Sequence, residues 1–206
     1  ERKQTSFSGL RKSAEPLAET VNDQTTKKTK HRHKTNNMAK ITEVRLTLAA
    51  FIYGVEIDLK NTIKKYIAPF HEDIHFFHDN DLQLKVVERF SKENPGVDYK
   101  KSLEDIVDFL DFGDTFVILK KNNVFLTKQT NDFINSIFND LVSIIPVRNR
   151  VMHTRPLLGG DFAIVYDFIT KLKTNDPIEW KATIETRNLI EKDPSYVLTL
   201  KFPTTS

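Results

Sequence analysis

Apolar residues recur at three- and four-residue steps from about Glu43 to Tyr66, and this period constrains the fold more than any other feature. A period near 3.6 residues that persists for about six turns predicts a long amphipathic helix with one face in a core. The repeating positions are Val44, Leu48, Phe51, Ile52, Val55, Leu59, Ile63 and Ile67. The chain must therefore bury one side of this helix.

Further amphipathic segments follow Pro69, which ends or kinks the first helix. Ser102 with Asp105 is typical of a capping arrangement at the start of a short helix. Thr130 or Asn131 is the expected cap of an apolar helix that ends before Pro146. Other predicted helices cover residues 82–93, 147–155, 161–173 and 178–191, and residues 196–202 are predicted to be extended.

Only 6 glycines and 8 prolines occur in 206 residues, whereas phenylalanine occurs 15 times. So few turn-forming residues disfavour a sandwich of short strands, and the phenylalanines can fill a helical core. We therefore predict an all-α bundle with one long N-terminal helix and several shorter helices. No cysteine is present, and no apolar run reaches the roughly 18 to 20 residues of a membrane-spanning helix. These features lead us to expect a cytoplasmic protein without membrane contact.

Charge divides the chain into regions. Residues 1–40 hold 10 basic and 4 acidic residues, whereas the remainder holds 21 basic and 24 acidic residues. The first region has a single aromatic residue, so we expect a flexible basic tail. The predicted helical domain covers residues 41–200, and 201–206 are a C-terminal tail or the start of a linker. Met38 directly precedes the first periodic segment, so residues 1–37 are either a native tail or an extension foreign to the natural chain.

The string from His71 to His75 matches the zinc-protease pattern, in which two histidines one helical turn apart bind zinc and a glutamate, here Glu72, activates water. Pro69 places the string at a helix start, whereas those enzymes carry it in mid-helix. A third ligand would have to be His78 or a downstream carboxylate that no pattern marks. We interpret these histidines as exposed surface residues, rank a zinc hydrolase third among the functions, and assign no metal or cofactor.

The densest basic cluster of the acidic region follows an apolar helix directly. It consists of Arg148, Asn149, Arg150, His153 and Arg155. If Pro146 starts a new helix, the free N–H groups of its first turn favour a bound phosphate. A histidine beside guanidinium groups is the minimum equipment for acid–base attack on a phosphodiester. On residue chemistry alone, a solvated helix face is the more frequent outcome for such a cluster.

The cluster also resembles the signature of HEPN domains, which are all-helical bundles. That signature is an arginine followed a few residues later by a histidine, often with a polar residue after the arginine, and here Arg148, Asn149 and His153 match it. The segments Leu110–Asp114 and Asp193–Leu198 resemble the surroundings of the signature in HEPN domains at the N-termini of large bacterial STAND-type NTPases. The resemblance covers about 41–200.

The resemblance implies a role for each matching residue. Arg148 would contact the phosphate and the transition state, His153 would act as general base or acid, and Asn149 would orient them. Active HEPN domains cut RNA without metal, using the ribose 2′-hydroxyl as nucleophile and leaving a 2′,3′-cyclic phosphate. The family commonly forms homodimers in which two signatures face one another. We interpret Arg150 and Arg155 as secondary, substrate-binding phosphate contacts or simply as surface charge.

Two functions of different classes follow from this resemblance. The first is a metal-independent endoribonuclease domain, an effector in a bacterial defence protein whose NTPase portion would follow residue 206 of the same chain. The second is a non-catalytic HEPN-type module of such an NTPase that dimerises or binds RNA. The intact pair of Arg148 and His153 favours the nuclease.

Overall fold

A computed structural model describes the backbone of residues 24–199 and the side chains of residues 42–198. The chain divides into two units, Glu1–Met38 and Ala39–Ser206, and the candidate site residues belong to the second. Within residues 24–199 the chain forms eight α-helices and no strand, which confirms the all-α class. The helices are α1 (Gln24–Tyr66), α2 (Asn80–Glu93), α3 (Leu103–Ile106), α4 (Phe112–Lys121), α5 (Lys128–Met152), α6 (Asp161–Lys171), α7 (Lys181–Lys192) and α8 (Tyr196–Thr199).

The long helix α1 has the buried face that its sequence predicts. Its core side chains are at most 1% exposed, and the helix ends at Tyr66, ahead of Pro69. These side chains are Leu48, Phe51, Ile52, Val55, Leu59 and Ile63. Val44 departs from the pattern because it is 38% exposed.

The first helix also begins earlier than expected. Residues 24–40 of the predicted flexible tail belong to α1, and residues 1–23 lie outside the described residues. Nucleation is the costly step of helix formation, so extending an existing helix toward its N-terminus costs little. The predicted tail at 201–206 also lies outside the described residues.

Helix α5 continues through Pro146, where the sequence predicted a break. The proline removes one N–H group, but it lies on the exposed side of the helix. The buried stripe crosses it at helical spacing through Leu141, Ile144, Val147 and Val151. Burial of this stripe therefore outweighs the lost hydrogen bond. The helix begins one turn earlier than expected, with Thr127 as its N-cap.

Two shorter segments also depart from the sequence prediction. Residues 196–199 are helical rather than extended, because Asp193 starts a turn by accepting the Ser195 N–H at 3.0 Å. The sequence patterns predict no element over the residues that form α4. The helix predicted over 82–93 is confirmed as α2.

The candidate cluster is held by packing around α5, which contacts both α4 and α6. Helix α6 contacts α7 in turn, and α7 contacts α8. Within the part of the chain that the structure describes, no helix has both the length and the apolar character that a bilayer crossing requires.

Candidate functional site

The basic cluster lies at the C-terminal end of α5. Residues 148–152 form the last turn of the helix, and His153 is its C-cap with φ −99° and ψ 19°. The predicted helix start at Pro146 was wrong, and so was the positive partial charge expected from it. A helix C-terminus instead has unpaired carbonyl oxygens and negative partial charge. The cations of the cluster therefore face a helix end that itself attracts cations.

Arg45 of α1 binds these carbonyl oxygens. Its Nη1 donates to the Arg150 oxygen at 2.8 Å and to the Val151 oxygen at 3.0 Å. Its Nη2 donates to the Arg155 oxygen at 2.7 Å. One guanidinium thus holds both the last turn of α5 and the loop that follows. No local sequence pattern indicates Arg45, because it lies 105 positions from Arg150 along the chain.

Arg150 forms a two-pronged ion pair with Asp161, the first residue of α6. Nε donates to Oδ2 at 2.8 Å, and Nη2 donates to Oδ1. The Asp161 side chain is only 2% exposed, and its Oδ2 also accepts the Leu158 N–H at 2.8 Å. The hydrogen bonds from Arg150 keep the pKa of Asp161 below its usual range. The guanidinium predicted to bind phosphate is therefore already occupied in holding α5 to α6.

The loop after His153 contains a strained residue. Thr154 has φ 52°, in the left-handed region that β-branched side chains rarely adopt. Neighbouring hydrogen bonds hold it there: the Arg155 N–H donates to the Arg150 oxygen at 2.9 Å, and Thr154 Oγ1 donates to the His153 oxygen at 2.8 Å. Strain of this kind persists when the surroundings fix the backbone, and it occurs often at functional sites.

Arg148 and Asn149 are both half-buried. The Nε atom of Arg148 is buried and has no hydrogen-bond partner among the described residues. Leaving such a group unpaired costs about 1 to 3 kcal/mol, so an additional acceptor would stabilise this side chain. Asn149 contributes its backbone oxygen, which accepts the His153 N–H at 3.2 Å.

His153 and Arg155 have exposed side chains, and no hydrogen bond within the described residues engages the His153 ring. His153 is five positions after Arg148, which corresponds to a rotation of about 140° on an ideal helix. The helix therefore does not direct both groups to one point. The structure brings Arg150 and Arg155 together around the carbonyl groups that Arg45 binds.

The histidines of the zinc-protease string do not share an α-helix. His71 follows a 3₁₀ turn, Ala68–Phe70, in extended conformation, and His75 lies in the next one, Ile74–Phe77. His71 is half-buried, with ring centroids 5.1 Å from Phe76 and 4.9 Å from Phe125, so its predicted exposure was wrong.

Burial lowers the pKa of His71, and the nearby His78 lowers it further. His78 itself is exposed and hydrogen-bonds through Nε2 to Asn122 Oδ1 at 3.1 Å. Among the described residues, no group of three histidine, aspartate or glutamate side chains is arranged to hold a metal ion. The string therefore packs at the surface of the bundle.

The segment Leu110–Asp114, singled out upstream of the signature, has packing contacts. Asp111 accepts hydrogen bonds from Lys85 at 2.5 Å and from Arg89 at 3.0 Å. Burial opposes ionisation of Asp111, but these hydrogen bonds outweigh it and lower its pKa. Gly113 lies against Ile145 of α5, one turn before Arg148. This segment therefore anchors α4 against α2 and α5.

Comparisons with known proteins give no match to a family model, a curated protein or a solved structure.

Proposed function

We propose that this chain is a HEPN-type, metal-independent endoribonuclease. The observation that carries the proposal is the end of α5, where two groups suited to RNA cleavage are not engaged by the described fold. The His153 imidazole is exposed, and Arg148 has a buried Nε without a hydrogen-bond partner among the described residues. Arg45 and Arg150 fix the loop on which His153 lies. The site thus combines a rigid support with an accessible base.

In the proposed reaction, His153 removes the proton of a ribose 2′-hydroxyl, and the oxygen attacks the adjacent phosphorus. The bond from phosphorus to the 5′-oxygen breaks, that oxygen takes a proton from a water molecule, and the protonated His153 returns its proton to the resulting hydroxide. The products are a 2′,3′-cyclic phosphate and a 5′-hydroxyl end. Arg148 contacts the non-bridging oxygens, where negative charge increases in the transition state. Asn149 orients the two groups, and Arg155 is an exposed secondary phosphate contact.

The different directions of the Arg148 and His153 side chains around the helix axis are our reason for proposing a site formed by two chains. Because the side chains diverge by about 140° around α5, one helix does not aim both at the same phosphate. In a two-fold dimer, the same surface of both chains meets, so each cleft can take Arg148 from one chain and His153 from the other. We therefore include homodimerisation in the proposal.

Incubation with a mixed RNA in excess chelator tests the nuclease. We expect the wild type to cleave, and His153→Ala and Arg148→Ala each to lose at least about 100-fold in rate, the usual minimum for loss of an acid–base group or of a charge-stabilising contact. His75→Ala, another exposed histidine, is the matched control and should cleave normally. Mass spectrometry of the products should find cyclic phosphate ends. Cleavage that survives in His153→Ala, or that requires a metal ion, would contradict the proposal.

A non-catalytic module is the second candidate, because Arg45 and Arg150 already serve the fold. This candidate predicts a wild type that binds RNA or self-associates and leaves the RNA intact. Circular dichroism of each variant separates loss of chemistry from loss of folding. Replacing the exposed His153 should change the free energy of unfolding by no more than about 0.5 kcal/mol.

A further inference from the structure

An exposed pair of stacked aromatic rings lies at the start of α6. The ring centroids of Phe162 and Tyr166 are 5.5 Å apart, and the ring planes differ by 20°. Phe162 is 39% exposed. Tyr166 is half-buried behind it, with its ring 6.3 Å from that of Phe51 and its hydroxyl 3.4 Å from Glu191 Oε1. The tyrosine is therefore held in place and supports a phenylalanine that does not fill the core.

The aromatic pair adjoins the basic loop. Asp161, the residue before Phe162, binds Arg150 within one turn of His153. Helix α1 contacts both features: Arg45 donates to the Arg155 oxygen in the loop, and the ring of the buried Phe51 lies 6.3 Å from that of Tyr166. The rise along α1 between these two residues is about 9 Å.

The charges near the pair include one exposed cation, Arg155. The acidic Asp161 is buried and paired with Arg150, and the exposed Asp167 lies farther along α6. Glu191, on α7, approaches the pair at the Tyr166 hydroxyl, on the supporting ring rather than on Phe162. An aromatic surface beside exposed basic side chains is the usual composition of a single-strand binding site, where bases stack on the rings and phosphates contact the cations.

We propose that Phe162, supported by Tyr166, stacks on an unpaired base of a single-stranded RNA whose phosphates lie along His153 and Arg155. The inference rests on the proposed function for the identity of the nucleic acid, and it narrows the substrate to single strands and loops. Bases inside a duplex are already stacked and do not offer a free face. Phe162 is thus a specificity residue that selects accessible nucleotides.

Fluorescence anisotropy tests this prediction by measuring the affinity of the protein for RNA. The probe is a labelled mixed-sequence RNA of about 12 nucleotides, within the usual range of single-strand sites. Phe162→Ala should weaken binding about 5- to 100-fold, the range expected for the loss of one stacked base. The matched control is Phe70→Ala, because Phe70 is 66% exposed and stacks on Phe125 at 5.6 Å and 19°. It should bind as the wild type does.

A second variant of Phe162 and a duplex RNA probe complete the test. Phe162→Leu retains apolar contact with Tyr166 but lacks a π face, so it should lose affinity even if Phe162→Ala fails to fold. Binding of a matched duplex should change less than twofold. Wild-type affinity in both variants, an equal loss in Phe70→Ala, or a changed oligomeric state without a change in RNA binding would overturn the inference.

The nuclease proposal can fail separately from this one. All binding is measured in chelator with the His153→Ala background as well as the wild type. If RNA binds through Phe162 but is never cleaved, the nuclease proposal is wrong and the stacking site is supported. If Phe162→Ala cleaves RNA with an unchanged KM, the stacking proposal is wrong and the nuclease proposal is supported.

Discussion

At the end of α5, neighbouring arginines have different environments. Arg150 makes a two-pronged ion pair with a buried carboxylate, whereas Arg155 is exposed and Arg148 keeps a buried Nε without a partner among the described residues. Residue type and spacing predict a basic cluster at this point. Which arginine stabilises the fold and which is available to a ligand depends on the position of Asp161.

Asp161→Asn isolates the contribution of the ion pair. It leaves a half-buried guanidinium without its counter-charge, so we expect a loss in unfolding free energy well above that of a substitution at an exposed site. Urea unfolding measures this difference in unfolding free energy. The control Asp167→Asn changes an exposed residue of the same helix and should stay within about 0.5 kcal/mol. Equal effects of the two variants would show that the pair contributes no stability.

The same pair predicts how the difference depends on pH. Because Arg150 lowers the pKa of Asp161 in the folded chain, this carboxylate stabilises the fold fully above its unfolded pKa of about 3.9. The stabilisation is lost as the pH falls through the lower folded pKa. The difference between wild type and Asp161→Asn should therefore be constant above about pH 5 and shrink toward pH 2. A difference that grows on acidification would contradict this assignment.

Helices α1 and α7 meet at a backbone contact. The N-cap of α7, Trp180, makes no side-chain cap bond, and Asp58 of α1 takes over that role by accepting the N–H groups of Ala182 at 3.0 Å and Thr183 at 2.9 Å. One turn earlier, a Cβ atom on Gly54 would lie 3.1 Å from Thr183 Cα. The glycine lets the two helices come close enough for this cap.

Gly54→Ala should therefore destabilise the protein, although alanine is normally the better helix former by about 1 kcal/mol. The neighbouring atoms belong to the α7 backbone and cannot rotate away, so we expect a loss of about 1 to 3 kcal/mol. Gly113→Ala in α4 is the control, because its Cβ would meet only the Ile145 side chain at 3.6 Å. In thermal unfolding, Gly54→Ala should lower the melting temperature and Gly113→Ala should raise it. A higher melting temperature for Gly54→Ala would contradict the close approach of the two helices.

The two-chain site makes a prediction about the whole molecule. If each cleft uses Arg148 of one chain and the partner's His153, then Arg148→Ala and His153→Ala complement each other. Equal mixing produces half heterodimers, each with one intact site, so about a quarter of wild-type cleavage should return. Cleavage of a labelled RNA measures it after subunit exchange.

The matched control mixes Arg148→Ala with the double variant, which leaves no intact site. No recovery in the first mixture, despite demonstrated exchange, would contradict a site shared between chains. Cleavage per chain that stays constant on dilution well below the dimer dissociation constant would contradict it as well.

The sequence by itself determines the all-helical class and the core face of α1, because a local period of apolar residues is also the pattern of burial on a helix. It also places Arg148 and His153 five residues apart. The tertiary structure decides the rest of the candidate site. It carries α5 through Pro146, turns the expected helix start into a helix end, and brings Arg45 to that end from 105 residues away. Such contacts depend on how the helices pack, and no local pattern encodes them.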